Sequence, residues 1–309
     1  MLPHIPVLLM EVLEGLRVAQ RPAGCFIDGT LGAGGHAVAV LEVAPQARLL
    51  GLDRDPRALA LAQERLAPFG ERATIHHASY ERLADLAPGW AGEAGIDGVL
   101  LDLGISSMQI DDAARGFAFA QEGPLDMRFD PTGGGLTAGD IVNTWETDEL
   151  ANVIYRYGEE RNSRRIARAI VAARPLHSTQ ALAAVVASAQ TGPRQKIHPA
   201  TRTFQALRIA VNDELGAVER VLPVAIDLLK PGGRLAVISF HSLEDRIVKQ
   251  AFKLAATDCI CPPRQPVCTC DHRASVQLVT RKPLTPGPAE VAQNPRSRSA
   301  RLRVVERVV

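Results

Sequence analysis

The chain has 309 residues, of which 46% are hydrophobic and 22% are charged, a composition typical of a globular protein with one or two sizeable cores. The formal net charge is only +1, so the global charge gives no evidence for a nucleic-acid partner. No cationic leader precedes the first apolar residues and no apolar run is long enough to span a bilayer, so we predict neither a signal peptide nor a membrane anchor. Four of the five cysteines fall within residues 259–270. This clustering differs from a secreted disulfide scaffold, and cytoplasm is the expected compartment.

A glycine-rich turn follows the first predicted strand. This strand ends at Asp28, and a helix-forming segment begins at Ala37. Between them lie four glycines within seven residues: Gly29, Gly32, Gly34 and Gly35. Glycine lets the backbone approach a ligand closely, and the first amides of a helix suit an anionic group. The pattern indicates a nucleotide-like cofactor, although a purely structural turn also fits it.

A second acidic residue supports the cofactor interpretation. The next apolar run leads into Asp53, about twenty residues after the glycines, where an acid can accept both hydroxyls of a ribose. Nicotinamide-dependent oxidoreductases use the same pair of features and are the enzymatic alternative.

Apolar strands and helical runs alternate up to residue 102, as expected for a parallel sheet covered on both faces. The strands are predicted at 25–28, 48–53, 74–78 and 96–102. Three of them end in an acid: Asp28, Asp53 and Asp102. Ligands of open α/β sheets lie outside the carboxyl ends of the strands, so we expect these acids to converge on one crevice. The alternative is that each acid caps the helix that follows it.

Beyond residue 102 the alternation stops, and we predict a helical insertion. Its helices are expected at 137–145, 147–157, 162–173 and 178–190. Thr147 and Ser178 are the predicted N-caps. A long helix bent at Pro223 follows. The remaining predicted elements are a strand at 234–240, a helix at 243–254 and terminal strands at 276–281 and 300–308.

Eight motifs, in chain order, carry a resemblance to a known family. They are HIPVLL (4–9), DGTLGAGGH (28–36), LDLGISSMQ (101–109), GFAF (116–119), LDMRFD (125–130), GEE (158–160), HPATRTFQALR (198–208) and SFHSLEDR (239–246). With these motifs the chain resembles the ribosomal RNA small subunit methyltransferase H family, also called MraW. The resemblance implies a class I S-adenosylmethionine-dependent methyltransferase with a Rossmann-like, mostly parallel seven-stranded sheet. The implied reaction is methylation of N4 of a cytidine in 16S ribosomal RNA. The implied domains are a discontinuous methyltransferase domain, 1–111 and 200–309, and a helical insertion, 112–199, that recognises RNA.

The resemblance also implies a set of cofactor contacts. Carried over residue by residue, they fall on Gly34, Gly35, His36, Asp53, Tyr80, Asp102 and Gln109. The turn amides suit the carboxylate of the methionine part, Asp53 suits the ribose, and Tyr80 offers a flat face to adenine. Alternatively, Tyr80 is a surface aromatic and His36 is an ordinary residue at a helix start.

Methyl transfer to an exocyclic amine requires alignment more than a strong base, because the sulfonium carbon is already activated. An acceptor placed on the amine hydrogens can direct the nitrogen lone pair toward the methyl group. Other amino-methyltransferases carry an Asp/Asn/Ser-Pro-Pro-aromatic motif at the position of residues 102–107, and this chain lacks it. Our hypothesis is that Asp102 or Ser106 orients the amine.

Contact with RNA requires a cationic surface, and three clusters offer one. They are Arg161, Arg164, Arg165 and Arg168; Arg194, Lys196, Arg202 and Arg208; and a basic tail of Arg296, Arg298, Arg301 and Arg303. The expected partner is 16S ribosomal RNA in the 30S subunit. Arg194, Arg202, Arg208 and His241 are the candidate substrate contacts. The alternatives are solvated charged faces and a helix-entry or core role for His241. The non-enzymatic alternative is an RNA-binding factor without chemistry, and the oligomeric state is left open.

A cysteine-rich loop follows the last predicted helix. It contains Cys259, Cys261, Cys268 and Cys270 within twelve residues. Four thiolates suit tetrahedral zinc. Each Cys-x-Cys pair is tighter than the usual two-residue spacing and the resemblance does not imply a metal, so free thiols or a disulfide are the alternatives.

Overall fold

The computed structural model describes residues 6–190, 197–263, 265 and 267–309. The chain forms two compact units, the first comprising Met1–Gly104 with Leu215–Val309 and the second Ile105–Glu214. The helices are α1 (Leu9–Gly15), α2 (Gly35–Val43), α3 (Pro56–Leu66), α4 (Leu83–Ala91), α5 (Ser107–Asp111), α6 (Ala138–Thr144), α7 (Thr147–Gly158), α8 (Ser163–Ala172), α9 (Thr179–Ala189), α10 (Thr201–Asn212), α11 (Glu214–Leu228), α12 (Ser242–Ala255) and α13 (Pro288–Gln293). In the described part of the chain, no helix is both long and apolar enough to cross a bilayer.

A seven-stranded sheet forms the centre of the first unit. Its strands are β1 (Cys25–Asp28), β2 (Arg48–Asp53), β3 (Ala73–His77), β4 (Ile96–Asp102), β5 (Leu229–Ser239), β6 (Val276–Leu278) and β7 (Arg301–Arg307). They lie in the order β3-β2-β1-β4-β5-β7-β6. The pairs among β1 to β5 are parallel, and β7 runs antiparallel to both β5 and β6. This arrangement confirms the predicted α/β class with a mostly parallel seven-stranded sheet.

Each face of the sheet has its own apolar core. Phe26 of β1 and Leu100 of β4 are buried with residues of α1 and α2. Ile27 and Leu101 are buried with residues of α11 and α12 on the opposite face. Successive side chains of a strand point to opposite faces, so the continuous apolar runs fill both cores. This double burial fixes the strand register, and the register determines where the polar strand ends lie.

The second unit is helical within its described residues. Its core includes Ile141, Leu150, Ile154, Ile166, Leu182 and Leu207. The unit extends beyond the predicted insertion at both ends because Ile105 and the apolar face of α10 pack against this same core.

The N-cap prediction is confirmed for α9 and wrong for α7. Ser178 caps α9, since its hydroxyl accepts a hydrogen bond from the Ala181 amide at 3.3 Å. For α7 the N-cap residue is Glu146, and Thr147 is the first helical residue. The carboxylate of Glu149 accepts from the Glu146 amide at 3.3 Å, so the acid three residues on fixes the helix start.

The long helix predicted before β5 is interrupted, and not at Pro223. The helix breaks at Asp213, whose φ of 49° lies in the left-handed region, whereas Pro223 lies inside α11. The side chain of Asn212 accepts from the Phe129 amide at 2.8 Å and donates to the Met127 carbonyl at 2.7 Å. A contact with a distant segment, rather than the proline, therefore coincides with the end of α10.

The prediction that Arg303 belongs to a basic tail available to RNA is wrong. This side chain is buried in β7, and its Nε donates to the Asp245 carboxylate at 2.7 Å. Arg301 donates to the same carboxylate at 2.8 Å. Because the tail pairs with β5 as a strand, its residues alternate between faces, and Arg303 is fixed against α12 rather than exposed to a partner.

Alanine substitutions at two glycines of the second unit, Gly116 and Gly134, can test how tightly that unit is packed. Gly116 and Gly134 have nearly the same positive φ, +71° and +72°, in the region that favours glycine. A Cβ atom at Gly116 would overlap the Pro124 carbonyl oxygen, whereas nothing lies within 4 Å of a Cβ atom at Gly134. We predict that Gly116→Ala lowers the free energy of unfolding by at least about 2 kcal/mol more than Gly134→Ala, because only the first adds a steric clash to the backbone strain.

Urea denaturation of the two alanine variants measures this difference directly. Gly134→Ala is the control for backbone strain alone. Equal losses of stability in the two variants would contradict the packing of residues 116–126.

Candidate active site

Three acids converge at the carboxyl edge of the sheet, as predicted. In the register of the central strands, Asp28 pairs with Gly51 of β2 and Leu100 of β4. Asp28 is near enough to Asp53 and to Asp102 for their charges to interact. The three strand ends therefore form one acidic crevice in the first unit.

The glycine turn is tied to this crevice through Asp53. One carboxylate oxygen of Asp53 accepts from the Gly32 amide at 2.7 Å, and the other accepts from the Asp55 amide at 2.8 Å. Gly32 and Gly34 have φ of +53° and +78°, a conformation that favours glycine. Gly34 is the N-cap residue of α2, and among the described residues no side chain caps this helix. The start of α2 at Gly35 and His36 thus presents backbone amides that suit an anionic group.

The segment between Asp28 and the turn joins β1 to β4. The Gly29 amide donates to the Leu100 carbonyl at 2.9 Å. The hydroxyl of Thr30 accepts from the Asp102 amide at 2.6 Å, while the Thr30 amide donates to Asp28 at 3.1 Å. These bonds hold two of the three acids in a fixed relation.

Burial and neighbouring negative charges raise the pKa values of these three acids. Burial raises the pKa of Asp28 to about 7, and hydrogen bonds from Thr30 only partly offset that rise. Burial, together with the nearby charges of Asp28 and Glu244, raises the pKa of Asp102 to about 8. Burial also raises the pKa of Asp53, against the hydrogen bonds donated by backbone amides. The crevice therefore favours a bound cation or hydrogen-bond donor.

His36 and Tyr80 lie beside the acids. His36 is buried, and its Nε2 is 3.7 Å from Oδ2 of Asp102. Tyr80 begins a short 3₁₀ turn after β3 and is half-buried against the core on one sheet face. Its Cβ atom lies 3.2 Å from where a Cβ atom of Gly29 would be, so glycine at position 29 leaves room for the start of the Tyr80 side chain.

The donors and acceptors present here fit S-adenosylmethionine. Asp102 Oδ1 is buried and has no hydrogen-bond partner among the described residues, so it can accept from an ammonium or amine group. The uncapped start of α2 suits a carboxylate, and Asp53 retains lone pairs for ribose hydroxyls. The predicted positions Gly34, Gly35, His36, Asp53, Tyr80 and Asp102 all belong to this unit.

Ser106 and Gln109 belong to the second unit, where they bind each other. The Ser106 hydroxyl accepts from the Gln109 amide at 3.2 Å, and Oε1 of Gln109 accepts from the Ser106 amide at 3.0 Å. This reciprocal pair is the capping box of α5. Both side chains thus have a structural role at a helix start, and their predicted roles in catalysis and cofactor binding remain predictions.

His241 is the N-cap residue of α12 and lies at the carboxyl end of β5. Its Nδ1 accepts from the Glu244 amide at 3.4 Å, so the helix-entry role considered for this histidine is present. Glu244 is buried and accepts from the Phe240 amide at 2.8 Å. His241 also lines a cavity of about 320 Å³ together with Ser242, Thr285, Arg298, Ser299 and Arg301. The cavity combines two guanidinium groups with hydroxyls and a helix N-terminus, a set that suits phosphate.

The candidate RNA contacts of the second unit differ in how far they are already paired. Arg208 makes a bidentate ion pair with Glu214, with both N–O distances at 2.8 Å, and both side chains are largely buried. Arg202 is 37% exposed, and its Nη1 lies 3.6 Å from the Glu160 carboxylate. Arg194 lies outside the described residues. Arg208 is therefore positioned for packing, and Arg202 is the better placed of the two for an external phosphate.

The comparison with protein families decides the relationship suggested by the motifs. A model of the MraW methylase family matches residues 1–308. The chain belongs to the MraW methylase family. It is 51% identical to the ribosomal RNA small subunit methyltransferase H of Heliobacterium mobile over 311 residues, which cover 99% of each chain. It is 53% identical to the protein of that name from Symbiobacterium thermophilum, over 98% of this chain and 96% of the relative.

In this member of the MraW methylase family, two residues of the crevice, Thr30 and Glu244, were not predicted from the sequence. Thr30 links Asp28 to Asp102, and Glu244 contributes to the raised pKa of Asp102. Both carry a local signal. A threonine two residues after an acid is typical of a side-chain turn, and a glutamate three residues after a helix N-cap is typical of a capping box.

The raised pKa of Asp102 leads to a prediction about the folding stability of the cofactor-free protein. An unfolded aspartate has a pKa of about 3.9, so between about pH 4 and pH 8 the folded protein binds more protons at Asp102 than the unfolded chain does. The stability of the folded protein therefore falls as the pH rises from about 4 to about 8. We predict that the stability of Asp102→Asn relative to the parent protein is higher at about pH 9 than at about pH 5, by roughly 1 kcal/mol or more.

Urea denaturation at the two pH values measures this shift. Asp85→Asn is the control, because Asp85 is exposed on α4 and pairs with Arg82 of the same helical segment. A stability difference for Asp102→Asn that stays constant between the two pH values would contradict the assigned pKa.

Proposed function

We propose that this chain transfers the methyl group of S-adenosylmethionine to N4 of a cytidine in 16S ribosomal RNA. The convergence of Asp28, Asp53 and Asp102 on an uncapped glycine turn is the observation that carries the proposal. Relatives named ribosomal RNA small subunit methyltransferase H, at 51% and 53% identity, support the choice of substrate. The expected partner is the 30S subunit, and the expected compartment is the cytoplasm.

Separate groups of the first unit would bind the methionine, ribose and adenine parts of the cofactor. The backbone amides at the start of α2 would bind the carboxylate of the methionine part. Both oxygens of Asp53 already accept backbone amide hydrogen bonds, and the remaining lone pairs of the carboxylate would accept the ribose hydroxyls. Tyr80 would cover one face of adenine. Gln109 remains a predicted contact from the second unit.

Asp102 would orient the target amine. Bound S-adenosylmethionine supplies a methyl group on a positively charged sulfur. With a pKa of about 8, Asp102 is largely protonated at neutral pH, and positive charge beside it would lower this pKa and favour the carboxylate. The Oδ1 atom, which lacks a partner among the described residues, would then accept an amine hydrogen and direct the nitrogen lone pair. Ser106 is the alternative acceptor.

Replacing Asp102 by asparagine should therefore separate function from folding. We predict that Asp102→Asn lowers the rate of methyl transfer to 30S subunits by about 100-fold or more, because an amide presents a weaker acceptor and no negative charge. The measurement is incorporation of labelled methyl groups at saturating cofactor, with cofactor affinity determined separately by calorimetry.

Asp85→Asn serves again as the surface control and should retain the parent rate. An Asp102→Asn protein that binds cofactor and methylates at the parent rate would exclude Asp102 as the orienting group. If the parent protein binds 30S subunits but transfers no methyl group, the result would instead support the alternative that the protein is an RNA-binding factor without enzymatic activity.

Helix α8 offers an exposed cationic face in the second unit. Its three arginines and Arg161, which lies just before the helix, are all exposed: Arg161, Arg164, Arg165 and Arg168. They lie opposite the buried face formed by Ile166 and Ile170. Their spacing places them on one side of the helix, where guanidinium groups can contact successive phosphates of an RNA backbone. We include this face in the proposed RNA-binding surface.

Charge reversal on α8 tests this surface. We predict that Arg164→Glu combined with Arg168→Glu weakens binding to 30S-derived RNA and lowers the slope of log K against log salt by about 2, because two phosphate contacts are lost. Lys249→Glu combined with Lys253→Glu is the matched control, since these exposed lysines carry the same charge change on α12. An unchanged salt slope in the α8 variant would remove α8 from the proposed surface.

A further inference from the structure

Four cysteine sulfurs converge in the loop between α12 and β6. The Sγ atoms of Cys259, Cys261, Cys268 and Cys270 all lie within 4.8 Å of one another. Cys268 Sγ is 3.5 Å from Cys259 Sγ and 3.6 Å from Cys270 Sγ, and the Cys259 and Cys270 sulfurs are 3.9 Å apart. In a tetrahedral site with Zn–S bonds of about 2.3 Å, the sulfurs are about 3.8 Å apart. The observed separations bracket this value, and none of these cysteines is in a disulfide.

Backbone amides in the loop point at two of these sulfurs. The amide of Ile260, which lies inside the first Cys-x-Cys pair, donates to Cys270 Sγ at 3.4 Å. The amide of Thr269, inside the second pair, donates to Cys261 Sγ at 3.4 Å. Each pair therefore supplies a donor to the other, and such donors stabilise thiolates over thiols. The single-residue spacing within each pair is what places these donors between the sulfurs.

Apolar packing does not account for the gathering of the sulfurs. Ile260 and Val267, the two large apolar residues of this loop, are 52% and 68% exposed. The ends of the loop are held by hydrogen bonds: the Ser275 amide donates to the Ala255 carbonyl at 2.9 Å, and the Ala274 amide donates to Asp258 at 3.3 Å. The loop therefore has anchored ends and an exposed tip, and its four cysteines are themselves exposed or half-buried, so burial of apolar surface does not hold the sulfurs together.

We propose that the four cysteines bind one structural Zn²⁺ ion as thiolates. The neighbouring His272 is not part of the ligand set, because its Nε2 lies 3.0 Å from the Leu254 carbonyl oxygen. Four protein ligands complete a tetrahedral zinc sphere and leave no position for substrate, so the ion has a structural role. Each thiol loses its proton on binding, and the ion crosslinks the two Cys-x-Cys pairs of the loop.

Metal analysis of the full-length protein tests the proposal. Protein purified without chelator from zinc-supplemented medium should contain about one zinc ion per chain. Cys259→Ser combined with Cys268→Ser, which removes one ligand from each pair, should lose that zinc. Cys25→Ala is the matched control, because it removes the buried thiol of β1 and leaves the loop intact. Circular dichroism verifies that each variant is folded.

Cobalt substitution of the parent protein provides a readout that does not depend on folding of the variants. Co²⁺ added after removal of zinc should give the intense visible bands and sulfur-to-metal charge transfer of a tetrahedral four-thiolate site. A parent protein that contains no zinc, gives no such spectrum and reacts at all four loop thiols with a thiol reagent would overturn the proposal. A disulfide between any two of these cysteines in freshly purified protein would overturn it as well.

Discussion

Three carboxylates share one edge of a buried parallel sheet, and the cost of placing these negative charges together governs the local structure. Backbone amides offset part of that cost: Gly32 donates to Asp53, and Thr30 donates to Asp28. The carboxylate of Asp102 receives least, because its Oδ1 has no partner among the described residues. The glycine turn therefore supplies amides that stabilise the carboxylates. It also lines a site in which, among the described residues, the negative charge of Asp102 is not balanced by a positive group. A sulfonium cofactor would supply that group, which links the geometry of the crevice to the proposed chemistry.

The same arrangement implies a conflict between stability and function. A carboxylate that is kept near Asp28 and Glu244 destabilises the folded protein at alkaline pH, as the raised pKa of Asp102 indicates. Retaining such a group makes physical sense when a ligand neutralises it during the reaction. The double apolar core on the two sheet faces provides the rigidity that holds these strand ends in place. The zinc proposed for the cysteine loop would add a local crosslink where the chain has no core.

Much of the first unit was predictable because its information is local. A parallel sheet buried on both faces requires continuous apolar strands, and strand-end acids such as Asp53 must then meet at one edge. The break at Asp213 was not predictable, because it coincides with contacts between Asn212 and a segment more than eighty residues away. The burial of Arg303 was missed for a similar reason, since only the pairing of β7 brings it to Asp245. Likewise, cysteine spacing alone does not give the distances between sulfurs.

Proton linkage of cofactor binding tests the central claim most directly. If the acidic crevice binds a sulfonium, S-adenosylmethionine must lower the pKa of Asp102 and its neighbours, and protons must leave the protein on binding. Calorimetry at about pH 6.5, in buffers of different ionisation enthalpy, counts these protons, with the uncharged-sulfur product S-adenosylhomocysteine as the comparison. The account predicts a net release of protons with S-adenosylmethionine that exceeds the release with the product. Binding of both ligands without proton release, or no binding of either by folded protein, would contradict it.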